Sequence, residues 1–180
     1  MSRPRSRRPA FTLVEAVAVM VVLAVIGSVS SSIIHAAVRA YRDTTVRARL
    51  HEEAAAAMSR VITELRRIPL DPSAGAAAPL ITSVTPSSMA WGVNSTLSAS
   101  SGTLQYVDAG APAATLATDV SALTIRCYDQ NNALLGASLS GSACAPIRRI
   151  SVELSLSSGG VTEALRARAF IRSTMSGGAP

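Results

Sequence analysis

The sequence predicts an α+β chain, with a long N-terminal helix, transmembrane and then amphipathic, packed on a C-terminal antiparallel β-sheet domain. Three observations carry this. An uncharged, strongly apolar block lies near the start, no proline falls between Ala10 and Ile68, and the last third holds three runs of alternating apolar and polar residues. At 180 residues the chain is one ordinary domain, or a smaller one with an appendage. The expected layout is a basic leader (1–10), an apolar helix half (11–38), an amphipathic helix half (39–68), a linker (69–79), a β-rich outer domain (80–175) and a disordered tail (176–180).

The apolar half comes first. Twenty-three residues without a formal charge separate Glu15 from Arg39. As a helix this stretch covers about 35 Å, against a hydrocarbon core of about 30 Å. Met20–Ile26 is solidly aliphatic, and Ser28, Ser30, Ser31, Ser32 and His35 make the remainder of the stretch more polar. A single span accounts for this composition. Arg3, Arg5, Arg7 and Arg8 precede it, which places the N-terminus in the cytoplasm under the positive-inside rule.

Beyond the span, Val38, Tyr41, Val46, Leu50, Met58, Val61, Ile62, Leu65 and Ile68 recur mostly every three or four residues, with Ala54 and Ala57 filling one gap. That spacing marks one helical stripe. Pro69 and Pro72 then stop the helix. The expected rod runs over 11–67, about 85 Å. Gly27 and the serine cluster predict a gentle bend rather than a kink.

In the outer domain, Leu80–Thr85, Ser88–Val93 and Thr103–Val107 read as strands, with loops at 94–102 and 108–115. Leu123, Ile125 and Cys127 alternate with polar or aromatic partners. So do Ile150, Val152, Leu154 and Leu156, and then Leu165, Ala167, Ala169 and Ile171. Ser157-Ser158-Gly159-Gly160 supplies a hairpin turn between the last two runs. One antiparallel sheet is expected, its inner face covered by the amphipathic half of the helix. Aromatic residues are only 3% of the chain, so Trp91, Tyr106, Tyr128 and Phe170 are its few large fillers.

The charge needs locating before it means anything. The leader holds four of the seventeen arginines and no acid, and from Ile68 onward six arginines face six acids. The folded part therefore lacks the net charge of a phosphate-backbone binder, and nucleic acid is not the expected partner. Cys127 and Cys144 admit two readings. The expected one is a disulfide between them, closing a loop of about 18 residues and worth about 3 kcal/mol in an oxidising compartment. The other is two unpaired buried thiols. Neither cysteine has the company of a metal site, and no cofactor is implied. His35 and His51 read as interfacial and surface residues. Asp108, Asp119, Asp129, Glu153 and Glu163 form no recognisable catalytic pair, and no hydrolase, zincin or phosphate-loop motif occurs.

Three fates compete for the N-terminus. A secretory signal would be cut near His35–Ala37, but its apolar block would be too long. A twin-arginine signal fits Ser6-Arg7-Arg8 with the aromatic one residue late. The third fate explains Arg7-Arg8-Pro9-Ala10-Phe11-Thr12-Leu13-Val14-Glu15 together. Phe11–Glu15 before an apolar run resembles the prepilin-peptidase site of type IV pilins and type II secretion pseudopilins. The resemblance covers roughly Arg7–Pro69. Within the family the chain looks most like minor pilins of the mannose-sensitive-haemagglutinin type or J-type minor pseudopilins.

That resemblance implies a pilin-like fold and a non-enzymatic, structural role. It implies cleavage between Ala10 and Phe11, N-methylation of Phe11, and an assembly role for Glu15. In that role the Glu15 carboxylate pairs with the cationic amine of Phe11 on its own or a neighbouring subunit. Ala10 stands where the family has glycine, which implies slower processing. The implied partners are other pilin or pseudopilin subunits, the prepilin peptidase and the inner-membrane assembly platform. The implied location is the bacterial inner membrane, with the outer domain periplasmic, and then a pilus or pseudopilus. Two alternatives stand beside it: an adhesion or DNA-uptake pilin using outer-domain loops, and a membrane-anchored exported enzyme.

Overall fold

The structure is a computed structural model and describes residues 12–73 and 78–174. The leader, Ala10, Phe11, part of the linker and the tail lie outside the described residues. The chain divides into two compact units, Met1–Thr44 and Thr45–Pro180.

Helix α1 spans Leu13–Arg66 without interruption. Its start is set by Thr12, whose carbonyl accepts the first helical bond, from Ala16 N–H at 3.1 Å. Its end lies three residues before Pro69, as the missing N–H there requires. In the first unit the apolar side chains are exposed on every face, from Leu13 at 81% to Ile34 at 61%. Helical bonding continues through Gly27 and the serines. Ser28 Oγ donates to Val25 O at 2.9 Å and Ser32 Oγ to Val29 O at 2.8 Å. These hydroxyls therefore need no water, which is how an apolar span tolerates them.

In the second unit the helical stripe is buried at Leu50, Ala54, Ala57, Met58, Val61 and Leu65, with Val46 and Ile62 half-buried. The stripe starts later than its spacing suggests. Val38 and Tyr41, expected as part of it, are exposed, Tyr41 by 74%.

The β-rich part holds two sheets rather than the single sheet expected. The first is antiparallel, in the order β5 (Ala114–Ala117), β4 (Thr103–Val107), β3 (Ser95–Ser100), β2 (Ser88–Trp91), β1 (Ile81–Val84), β7 (Leu139–Ser140). The second holds the long strands β6 (Val120–Tyr128), β8 (Arg149–Ser158) and β9 (Val161–Phe170), with β8 central. Two features separate them. Asp119, at φ 55°, turns the chain from β5 into β6 without pairing those strands. The connection from β6 to β8 then leaves to set β7 against β1 before returning.

The serine-rich stretch 94–102, expected as a loop, contains β3. Its residues pair Thr96 with Val107 through Ser100 with Thr103 on β4, and Leu97 is buried. Serine is a weak strand former, and the neighbours on both sides override that preference. The expected β8–β9 hairpin is present with ten paired positions. Gly159 (φ 59°) and Gly160 (φ 82°) take the left-handed backbone of a tight hairpin turn.

One core joins the helix stripe to both sheets. Leu50, Leu65, Ile147, Ile150, Leu154, Leu156 and Ile171 are fully buried within it. Trp91 and Tyr106 fill it as expected, their rings 6.0 Å apart. Tyr128 and Phe170 do not. Both lie on the opposite face of the second sheet, Phe170 with 45% of its surface exposed.

Candidate functional site

The N-terminal half of α1 is the first candidate. Glu15 is three residues past Thr12, and the two side chains form a reciprocal cap. Glu15 N–H donates to Thr12 Oγ1 at 3.3 Å, and Glu15 Oε2 accepts from both the N–H and the hydroxyl of Thr12 at 3.4 Å. A Thr-x-x-Glu cap satisfies backbone donors that a helix start leaves open. An acidic group also suits the positive end of the helix. Sequence reasoning assigns Glu15 to assembly and misses Thr12 as its partner, although the Thr-x-x-Glu spacing is there to be read.

From Glu15 the helix presents apolar surface all round until Arg39, with a mean hydropathy of 2.5 over its most apolar 18 residues. It is long and apolar enough to cross a membrane. In water such a surface needs cover, from lipid or from protein.

In the second unit, polar side chains fasten the helix to the sheets. Glu53 accepts from Thr118 N–H at 2.6 Å and from its hydroxyl at 2.8 Å. Arg49 pairs with Asp119 at 2.9 Å, and His51 meets Glu163 at 3.0 Å, which gives that histidine a tethering role on the surface. Glu64, with only 11% of its side chain exposed, pairs with Arg60 at 3.0 Å and accepts from Tyr106 OH at 3.3 Å. Burial and the Glu64 carboxylate push the Tyr106 hydroxyl up to about 12. These contacts read as fastening rather than chemistry.

The expected disulfide has no support in the structure, where Cys127 and Cys144 are both free buried thiols. Cys127 faces the core from β6, while Cys144 ends the short 3₁₀ turn after β7. Burial pushes the Cys127 thiol up to about 12 and raises that of Cys144 as well. Both are therefore poor nucleophiles. Among the described residues no three His, Cys, Asp or Glu side chains gather as metal ligands. Among the described residues no three of Asp108, Asp119, Asp129, Glu153 and Glu163 gather into one site. Asp129 accepts from Asn131 and Ala133 N–H groups within a turn, and Asp108 from Ala109 N–H.

A second feature lies on the exposed face of β6–β8–β9, where Arg126, Arg149, Arg166 and Arg168 converge. Strand pairing brings them together from positions far apart in the chain.

No protein-family model matches the chain, and no curated protein matches it either.

Proposed function

We propose that the chain is a membrane-anchored structural subunit of an extracellular or periplasmic filament. Within that class it reads as a minor type IV pilin or type II secretion pseudopilin. The observation that carries the reading is the first half of α1. Among the described residues nothing covers its apolar surface, and its first residues complete the sequence Phe11-Thr12-Leu13-Val14-Glu15. Lipid covers that surface before assembly, and the helices of neighbouring subunits cover it afterwards. The second half anchors the same helix in the β-rich unit, so one element serves as span, filament core and domain scaffold.

On this reading the prepilin peptidase cuts between Ala10 and Phe11 in the inner membrane, from the cytoplasmic side. Phe11 becomes an N-methylated cationic amine, and the assembly platform draws the subunit into the filament. The reciprocal cap adds detail to the role of Glu15. Before cleavage, Glu15 is satisfied by Thr12 and can enter the membrane boundary without a partner. After cleavage, a new amine lies four residues away and can recruit the same carboxylate. Peptide sequencing of the mature protein from its own host tests the cut. A start at Phe11 is expected, and a start near Ala37 would leave only an exported or tethered domain.

A further inference from the structure

Summed over the outer domain, charge is balanced, with six arginines and six acids beyond Ile68. The fold sets five of the six acids apart from the arginine-bearing face of the second sheet. Asp119 and Glu163 are paired with Arg49 and His51 on the helix. Asp71, Asp108 and Asp129 accept backbone N–H groups in turns. By contrast, none of Arg126, Arg148, Arg149, Arg166, Arg168 or Arg172 forms an ion pair among the described residues.

Four of these arginines share one face. Across β6, β8 and β9 the pairing sets Arg126, Ser151 and Arg168 in one row. Thr124, Glu153 and Arg166 form the row on one side, and Tyr128, Arg149 and Phe170 the row on the other. Side chains two apart on a strand are about 7 Å apart, so the cations form a flat lattice. Glu153 is the one acid in these three rows. Arg149 stacks 4.4 Å over the Phe170 ring and Arg168 lies 5.8 Å over Tyr128, which steadies both guanidinium groups. Arg149 also donates to the Asn132 side-chain oxygen. Arg166 Nε donates to Ser151 Oγ at 3.1 Å, committing one of its five N–H groups. At the Tyr128 end the face opens into a cavity of about 250 Å³, lined by Asp129 and Gln130 as well as by Arg148, Arg149, Phe170 and Thr174.

We propose that this face binds the phosphodiester backbone of double-stranded DNA through Arg126, Arg149, Arg166 and Arg168, without reading its sequence. Guanidinium forks match phosphate oxygens, and a lattice of cations without ion-pair partners gains by releasing condensed counterions. An acidic protein partner fits less well. Protein interfaces centre on buried apolar anchors, and the two large rings of this face, Tyr128 and Phe170, each have a guanidinium, of Arg168 and of Arg149, lying over them. DNA binding here is independent of the filament reading and depends only on the second sheet.

The test is fluorescence anisotropy of a labelled short DNA duplex with the full chain in detergent micelles, across a salt series. The leader arginines are removed as a separate source by changing Arg3, Arg5, Arg7 and Arg8 to Gln. In that background log K against log salt is expected to fall with a slope of about −3 to −4. Adding Arg126→Gln, Arg166→Gln and Arg168→Gln lowers the slope by about 3, whereas lysine at the same three positions keeps it. Changing Arg42 and Arg47 on α1 to Gln leaves it unaltered. A slope lost with the leader alone, or untouched by the triple glutamine change, overturns the proposal. So does competition by polyglutamate as strong as by DNA at equal charge, which would assign the face to an acidic protein. Retention of binding by the lysine variant separates lost charge from lost folding.

Discussion

Thr12 and Glu15 cap the start of α1 reciprocally, the hydroxyl accepting from the Glu15 N–H at 3.3 Å while the carboxylate accepts from Thr12 N–H at 3.4 Å. Capping and charge pairing make different demands on residue 15. Glutamine can complete the same cap but cannot pair with an ammonium group. Glu15→Gln is therefore expected to leave helix and membrane insertion intact while blocking incorporation into filaments, the same block expected of Glu15→Ala. Measured incorporation of Glu15→Gln at the wild-type level would reduce Glu15 to a cap.

Thr118 donates twice to Glu53, joining the end of β5 to the helix. Hydrogen bonds to a charged group contribute more than neutral ones, although this one is near solvent. Glu53→Ala is expected to destabilise the second unit by about 1 kcal/mol, read by denaturant unfolding. Thr118→Val should cost less, because the backbone N–H still reaches Glu53.

Leu154 and Leu23 should respond in opposite ways. Leu154 is fully buried on the central strand β8, opposite Leu123 and Leu165. Leu154→Ala is expected to cost about 2–5 kcal/mol of unfolding free energy. Leu23 is 62% exposed in the first unit, so Leu23→Ala should leave the midpoint of that transition in place.

Alkali should weaken the fold. Tyr106 ionises at about 12 in the folded chain against an ordinary 10.0, and Cys127 at about 12 against 9.0. In both cases the folded state holds its proton more tightly than the unfolded chain. Their contribution is fully present below pH 9 and is lost as the pH rises from there towards 12. Unfolding midpoints measured from about pH 8 to about pH 11 should fall. Tyrosinate absorbance should retain a component titrating near 12 until the chain unfolds.

Thiol counting checks the cysteines. Without reductant, Cys127 and Cys144 are expected to resist alkylation in the native protein and both to react in denaturant. Mass spectrometry showing a two-hydrogen deficit would mean an oxidised pair.

Much is legible along the chain. The uncharged run after Glu15, the proline-free stretch to Ile68 and the alternation in β6, β8 and β9 each depend on neighbours in sequence. Local periodicity reports such elements directly. The cap at Thr12 belongs to this legible class too, because its spacing is local. The serine-rich β3 does not. Its residues prefer turns, and only pairing with β2 and β4 makes them a strand.

Pairing and sidedness belong to the tertiary structure. Nothing local says that the nine described strands divide into two sheets, because the division depends on how the chain turns at Asp119 and where β7 returns. Tyr128 and Phe170 look like core fillers until the register turns them outward beside Arg168 and Arg149. Net charge is a sum and carries no positions. Composition alone makes the outer domain neutral, whereas the fold gathers four of its six arginines on one face and places five of its six acids elsewhere. The long helix shows the same division. Its residue content makes the first half apolar all round, and packing against the sheets sets the start of burial near Val46, because only there does the stripe meet a surface to cover it.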